Sequence, residues 1–232
     1  MERRIVFVGP SLHGSNRLWP AGLERRPPAA KGDLLAAVQE GAKAVGLIDG
    51  TFDHGAAVWH KEILFALDRD VAVLGAASMG ALRAAECSAF GMIGIGSIYE
   101  DYAAGRRQAD EDVALVHGPA ELGFPPLTEA LVDIDATLDH LLDRGLISAA
   151  LKEHLAEAAR ALHFKERSWD RICDPALRSV VRENFINRKS EDAWLLIDAM
   201  AHEIPKPTRT IAGAFSETLF FAELQRGVMR RS

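Results

Sequence analysis

Long apolar runs, paired cysteines and an excess of basic charge are all missing from this chain of 232 residues. The longest apolar stretch, Val71 to Leu82, is broken by Gly75, Ser78 and Gly80 and is too short to cross a bilayer, so no membrane partner is expected. Cys87 and Cys173 lie far apart and suggest no disulfide framework. A net charge of −6 excludes a general nucleic-acid binder, which needs a basic footprint. The histidines carry no metal-ligand spacing and no Cys/His cluster accompanies them, so no metal is expected. Gly9 and Gly94-Ile95-Gly96 do not make the glycine-rich turn of a dinucleotide site, so no cofactor is expected either. Met1-Glu2-Arg3-Arg4 runs straight into a strand without a secretory apolar region, which predicts a cytoplasmic protein. Repeats and low-complexity segments are absent too.

What is present is ordinary globular composition, 48% hydrophobic and 26% charged, in a recurring strand–helix order. Arg4 to Val8, Ala44 to Asp49 and Val71 to Gly75 read as buried parallel strands, because each is a short, nearly uninterrupted apolar run. Helices are predicted over Asp33–Gly41, Ala57–Leu67 and from Ser78 through Glu86. Ile93 to Ser97 reads as a short fourth strand, Ile98 to Ala104 as a short helix and Val113 to His117 as a candidate fifth strand. Leu12 to Pro28, rich in Pro, Gly and Arg, reads as irregular loop. From Thr128 onward the periodicity is helical, with helices around Leu131–Leu142, after the Ser148 cap, from Pro175 to Phe185 and from Ser190 to His202. The tail after Pro207 reads as helix or partly ordered chain. The fold class is therefore α/β: a Rossmann-like parallel sheet flanked by helices over residues 1–126, then an all-helical lobe over 127–232.

Three of those strands deliver Ser11, Asp49 and Ser78 to one sheet edge, the carboxyl ends where open α/β sheets bind ligands. Ala76-Ala77-Ser78-Met79-Gly80 imitates a nucleophile elbow with Ala in place of the first Gly. Ser78 then reads as a nucleophile, as an anion-binding helix cap, or as structure only; the Met79 and Gly80 N–H groups are oxyanion donors in the first case. Asp49, His60 and Glu62 are candidates for proton transfer, with His13, His54 and His117 as further histidines in reach of the argument. Arg83 and Glu86, three apart on a helix, read as a solvated ion pair or as a carboxylate clamp. Asp110-Glu111-Asp112 suits a solvated turn or a partner-docking patch, and Cys87 a small packed hydrophobe.

Gly75-Ala76-Ala77-Ser78-Met79-Gly80-Ala81-Leu82-Arg83-Ala84-Ala85-Glu86, followed by Phe90-Gly91-Met92-Ile93-Gly94-Ile95-Gly96, resembles the signature of the TfuA-like proteins. Ile48-Asp49-Gly50-Thr51-Phe52, Val58 to Leu64, Asp110 to Ala114 with His117, Arg167-Ser168-Trp169 and Lys189 to Ala193 extend the resemblance over most of the chain. The resemblance implies a partner of YcaO enzymes in peptide backbone thioamidation. It implies release of sulfide from a small ThiS-like sulfur carrier that ends in a thiocarboxylate, with the carrier's activating enzyme as a further partner. On that view Ser78, Asp49, His60 and Glu62 are catalytic, while Met79, Gly80, Arg83, Glu86 and Ser11 bind the substrate. A non-catalytic adaptor that docks the carrier on YcaO, and a phosphate- or nucleotide-binding protein, are the alternatives from other classes.

Overall fold

A computed structural model describes residues 2–51, 55–202, 204 and 215–230. Five parallel strands form one sheet in the order β2-β1-β3-β4-β5: β1 Arg4–Phe7, β2 Leu23–Arg26, β3 Ala44–Leu47, β4 Ala72–Ala76 and β5 Ile93–Ile95. Strand side chains alternate between faces. Ile5, Phe7, Val45, Leu47 and Val73 point to one side, where α1 (Asp33–Gln39), α2 (His60–Asp68) and α3 (Met79–Cys87) cover them. Val6, Val8, Ile48, Leu74 and Ala76 point to the other, where Ala193, Leu196, Ile197 and Met200 of α9 (Arg188–Ala201) pack. With both faces covered, the strands read as unbroken apolar runs, and the Rossmann-like α/β expectation holds.

α9 takes the place of a β1–β2 crossover helix, since that connection holds only a short 3₁₀ turn at Pro10–Leu12. Close packing explains Gly46: a Cβ there would stand 2.7 Å from the Leu196 side chain. The N-terminus of α9 is tied to α5 (Leu131–Asp143), whose Asp133 carboxylate accepts the Lys189 N–H at 3.0 Å. Asp192 of α9 in turn accepts the N–H groups of Ser97 and Ile98, which open α4 (Ser97–Ala103). A second cluster, Leu138, Leu141, Leu155, Ala159 and Val181, joins α5 to α6 (Ala149–Ala161), α7 (Trp169–Ile172) and α8 (Pro175–Glu183). α10 (Leu219–Met229) closes α1 and α2 by seating Phe221 and Val228 on Leu35 and Phe65. Among the described residues no helix is long and apolar enough to cross a membrane.

Two expectations from the sequence need correction. The segment Leu12 to Pro28 contains a strand, β2, pairing in register from Arg4↔Leu23 to Phe7↔Arg26. Its Glu24, Arg25 and Arg26 obscure any apolar pattern, as charged edge strands do. Val113 to His117 is not a fifth strand of the sheet. The Val116 backbone bonds Thr128 and Leu127, and His117 makes only an isolated antiparallel bridge with Pro126. The segment is an extended cover over the sheet's carboxyl edge.

Candidate active site at the carboxyl edge of the sheet

Where β1 ends, the chain turns one way to β2; where β3 ends, it turns the other way to β4. That reversal lies between the adjacent strands β1 and β3, the place where doubly wound sheets open a crevice. Asp49 sits at its floor, 2% exposed. One carboxylate oxygen accepts the Gly9 and Ser11 N–H groups at 2.8 and 3.0 Å, and the other accepts the Ser11 hydroxyl at 2.7 Å. The structure thus joins Asp49 and Ser11, but in mutual service. Asp49 braces the β1 turn instead of offering a free base.

Ser78 follows β4 on a strained turn. Ala77 has φ 64°, a left-handed conformation rare for a residue with a Cβ, and the Ser78 N–H bonds back to the Ala76 carbonyl at 2.7 Å. Strain of this kind persists where the surroundings hold a functional geometry. Ser78 occupies the N-cap position of α3, yet its side chain caps nothing, and its Oγ has no hydrogen-bond partner among the described residues. Gly80 is explained by contact: a Cβ would lie 1.7 Å from the Leu47 carbonyl oxygen, so only glycine lets α3 press on β3. The Gly80 N–H is consumed by the Ile48 carbonyl at 3.1 Å. Of the two expected oxyanion donors, Met79 alone keeps an N–H without an acceptor among the described residues.

Asp49, Gly50, Thr51 and Ser78 line a cavity of about 120 Å³ together with Pro10, Val113, Leu115, Val116, His117, Phe164 and Lys189. At Pro10, Leu115 and Lys189 it joins a wider groove of about 600 Å³ that runs past Thr128, Glu129 and Asp133 to Trp169, Arg178 and Arg182. Lys189 is 2% exposed, and its ammonium donates to the Val113 carbonyl at 2.8 Å. Burial lowers its pKa from the ordinary lysine value, opposed by the carboxylates of Asp49 and Asp133. Burial also raises Asp133 to about 6 and Glu129 to about 7, the latter helped by the charge of Asp133. The His117 Nδ1 donates to the Gly118 carbonyl at 2.8 Å, and Phe124 meets the ring edge to face, centroids 5.5 Å apart.

A family profile described as TfuA-like protein matches residues 49–168, just over half of the chain. The chain belongs to the TfuA-like family. Comparison with curated proteins gives no match. The segment that the TfuA-like profile covers carries Asp49, Ser78 and His117, while Pro10, Ser11 and Lys189 lie outside it.

The remaining sequence candidates of this TfuA-like chain stand elsewhere. Glu62 is fully buried between α1 and α2, accepting the N–H groups of Trp59, Gly32 and Leu35 at 3.1, 2.9 and 3.3 Å. Burial raises its pKa while those N–H groups oppose the shift; its carboxylate joins two helix N-termini and does not line the cavity. His60, Arg83 and Glu86 form an outer cluster: Glu86 Oε2 is 2.7 Å from His60 Nε2 and 2.6 Å from an Arg83 nitrogen, and Arg83 Nε donates to the Val58 carbonyl. This cluster borders an open apolar groove beside Phe220 of α10. His13 lines the wider groove, with Nδ1 on the Gly123 carbonyl, and His54 lies outside the described residues. Arg107 holds Asp112 and Asp135, at 3.3 and 2.6 Å, so of the acidic turn Asp112 is paired locally while Asp110 and Glu111 stand exposed. Cys87 is buried in the core with its thiol pushed up to about 12, which makes it inert.

Lys189 escaped the search for chemistry in the sequence. A helix-start Lys next to Arg188 looks like a solvated residue, and nothing local reveals that α9 lands on the sheet edge. Two other residues in the matching motifs prove to be braces. Arg167, 1% exposed, donates to the Ala159, Leu162 and Glu111 carbonyls, closing the end of α6 on the 110–112 turn. Asp192 caps α4, as described above.

Proposed function

We propose that the protein serves peptide backbone thioamidation as a thiocarboxylate hydrolase. It releases sulfide from the C-terminal thiocarboxylate of a small ThiS-like carrier for a YcaO-type partner. Family membership supports the coarser part, an accessory role beside YcaO-type enzymes. The observation that carries the finer part is the unpartnered Ser78 hydroxyl, set on a strained turn beside a buried lysine in a cavity of about 120 Å³. A cavity of that volume admits a thiocarboxylate and the narrow chain behind it, and the neighbouring groove has room for the residues that follow. Ser78 attacks the thioacid carbonyl, the Met79 N–H faces the growing oxyanion, and sulfide departs as a better leaving group than hydroxide.

The test is sulfide release by the purified protein from a thiocarboxylated carrier, with and without the YcaO partner. Release without YcaO, abolished in Ser78→Ala, is the expected result. Release that requires YcaO and survives Ser78→Ala would leave the protein a docking adaptor.

A further inference from the structure

The chemistry at the sheet edge leaves one motif unused, Arg167-Ser168-Trp169. Arg167 is a brace, but Ser168 and Trp169 open α7 on the wall of the wider groove of about 600 Å³. The Trp169 Nε1 is buried there without a hydrogen-bond partner, and so is the Arg178 Nε of α8 on the same groove. No other buried side-chain nitrogen or oxygen among the described residues lacks a partner. The terminal nitrogens of Arg178 are spent on Asp170: one donates to its carbonyl and one pairs with its carboxylate, each at 3.0 Å. The guanidinium is thereby fixed against the residue that follows Trp169.

Native structures keep few buried donors without acceptors, and an indole or guanidinium N–H can only donate. Two such donors on one groove therefore call for acceptor oxygens from outside the chain. The groove also carries an acceptor without a donor, because the Glu129 carboxyl has no hydrogen-bond partner among the described residues. Phosphate is a poor match, since the carboxyl groups of Glu129, Asp133 and Asp170 line the same groove. A peptide main chain fits better: it is uncharged and carries one acceptor and one donor at each residue. Val181 and Phe185 add apolar surface for its side chains.

We infer that the groove grips an extended polypeptide end by its main chain, with Trp169 and Arg178 donating to carbonyl groups and Glu129 accepting an N–H. The occupant is the C-terminal segment of the carrier, because the groove joins the cavity at Pro10, Leu115 and Lys189 and so leads a chain end to Ser78. This choice of occupant rests on the thiocarboxylate reading above. Trp169 and Arg178 bind the chain behind the reacting group and take no part in its cleavage.

Binding of a fluorescein-labelled carrier that ends in an ordinary carboxylate, read by anisotropy, tests the grip apart from any chemistry. Trp169→Phe and Arg178→Lys should each weaken it by about tenfold or more. Trp169→Phe should melt as wild type does, because its N–H has no partner to lose in the free protein; Arg178→Lys keeps a cation for Asp170. In sulfide release from the thiocarboxylated carrier, both variants should raise KM by a similar factor and leave kcat unchanged. A carrier truncated before its C-terminal segment should not bind. Wild-type affinity and KM in both folded variants would overturn the grip and leave sulfide release standing. Equal binding of the full and truncated carriers, or binding of neither, would overturn the choice of occupant. Binding that falls in both variants, with no sulfide released by wild type, would sink the thiocarboxylate reading and keep the groove.

Discussion

Two polar clusters border α3, and they differ in how they are held. At its N-terminus, Ser78 faces a cavity whose polar groups are fixed by backbone: the buried Asp49 by Gly9 and Ser11, the buried Lys189 by Val113, and the exposed His117 by Gly118. On its outer side, a largely covered Arg83, held also by the Val58 carbonyl, binds the exposed Glu86, which meets the exposed His60. Their place in one motif made them look like one site. Helix geometry separates them, because five residues along α3 turn the side chain by about 140° and carry it about 7 Å up the axis. Proximity in sequence brought Ser78 and Arg83 to the same helix; only the inner set combines buried side chains, those of Asp49, Ser78 and Lys189, with backbone groups that fix them.

The contrast can be broken from the inside first. Gly80→Ala should be the most damaging single change, on the order of 4 kcal/mol or an unfolded protein. The added Cβ meets the Leu47 carbonyl, and neither α3 nor β3 can give way; urea denaturation measures it. Asp49→Ala should cost about 3 kcal/mol in the same experiment, because it leaves two buried N–H groups and the Ser11 hydroxyl without their acceptor. A loss below 1 kcal/mol would mean that the turn after β1 does not depend on this carboxylate.

Glu129 gives a pH-dependent test at the groove beside the cavity. Its pKa near 7 lies above the ordinary 4.5, so the folded state keeps a proton that the unfolded chain releases between those values. Stability contributed in this way is present at low pH and lost as pH rises through about 7. Glu129→Gln should therefore be more stable than wild type at pH 8, by on the order of 2 kcal/mol, and no more stable below pH 4. Thermal melts across that range check it, and equal curves at all pH values would refute it. The smallest effect belongs to the outer cluster: Arg83→Ala should change stability by about 1 kcal/mol or less and leave sulfide release within threefold of wild type. A loss comparable to that of Ser78→Ala would erase the distinction between the two clusters.

Much of the sheet could be read directly from residues. Val6, Val45 and Val73 lie in short apolar runs because both faces of their strands are covered, and such runs stand out without any partner in view. The helix after Ser78 was equally plain from its Ala and Leu content. β2 was hidden because an edge strand with Glu24, Arg25 and Arg26 carries no apolar signature, and its pairing with β1 comes only from the fold. Val113 to His117 had strand-forming residues, but its backbone groups found Thr128, Leu127 and Lys189 in place of a ladder.

The sequence by itself determined the α/β class and the placing of Ser11, Asp49 and Ser78 at one sheet edge, since these depend on local patterns with periods of two and 3.6 residues, and it showed the family through the motif from Gly75 to Glu86. The tertiary structure alone decided which polar groups share the cavity. α9 arrives from more than a hundred residues beyond Ser78 to bring Lys189 there, and the extended cover over the sheet edge brings His117. No local period encodes such meetings, because they follow from which apolar faces pack together and not from the polar residues they carry along.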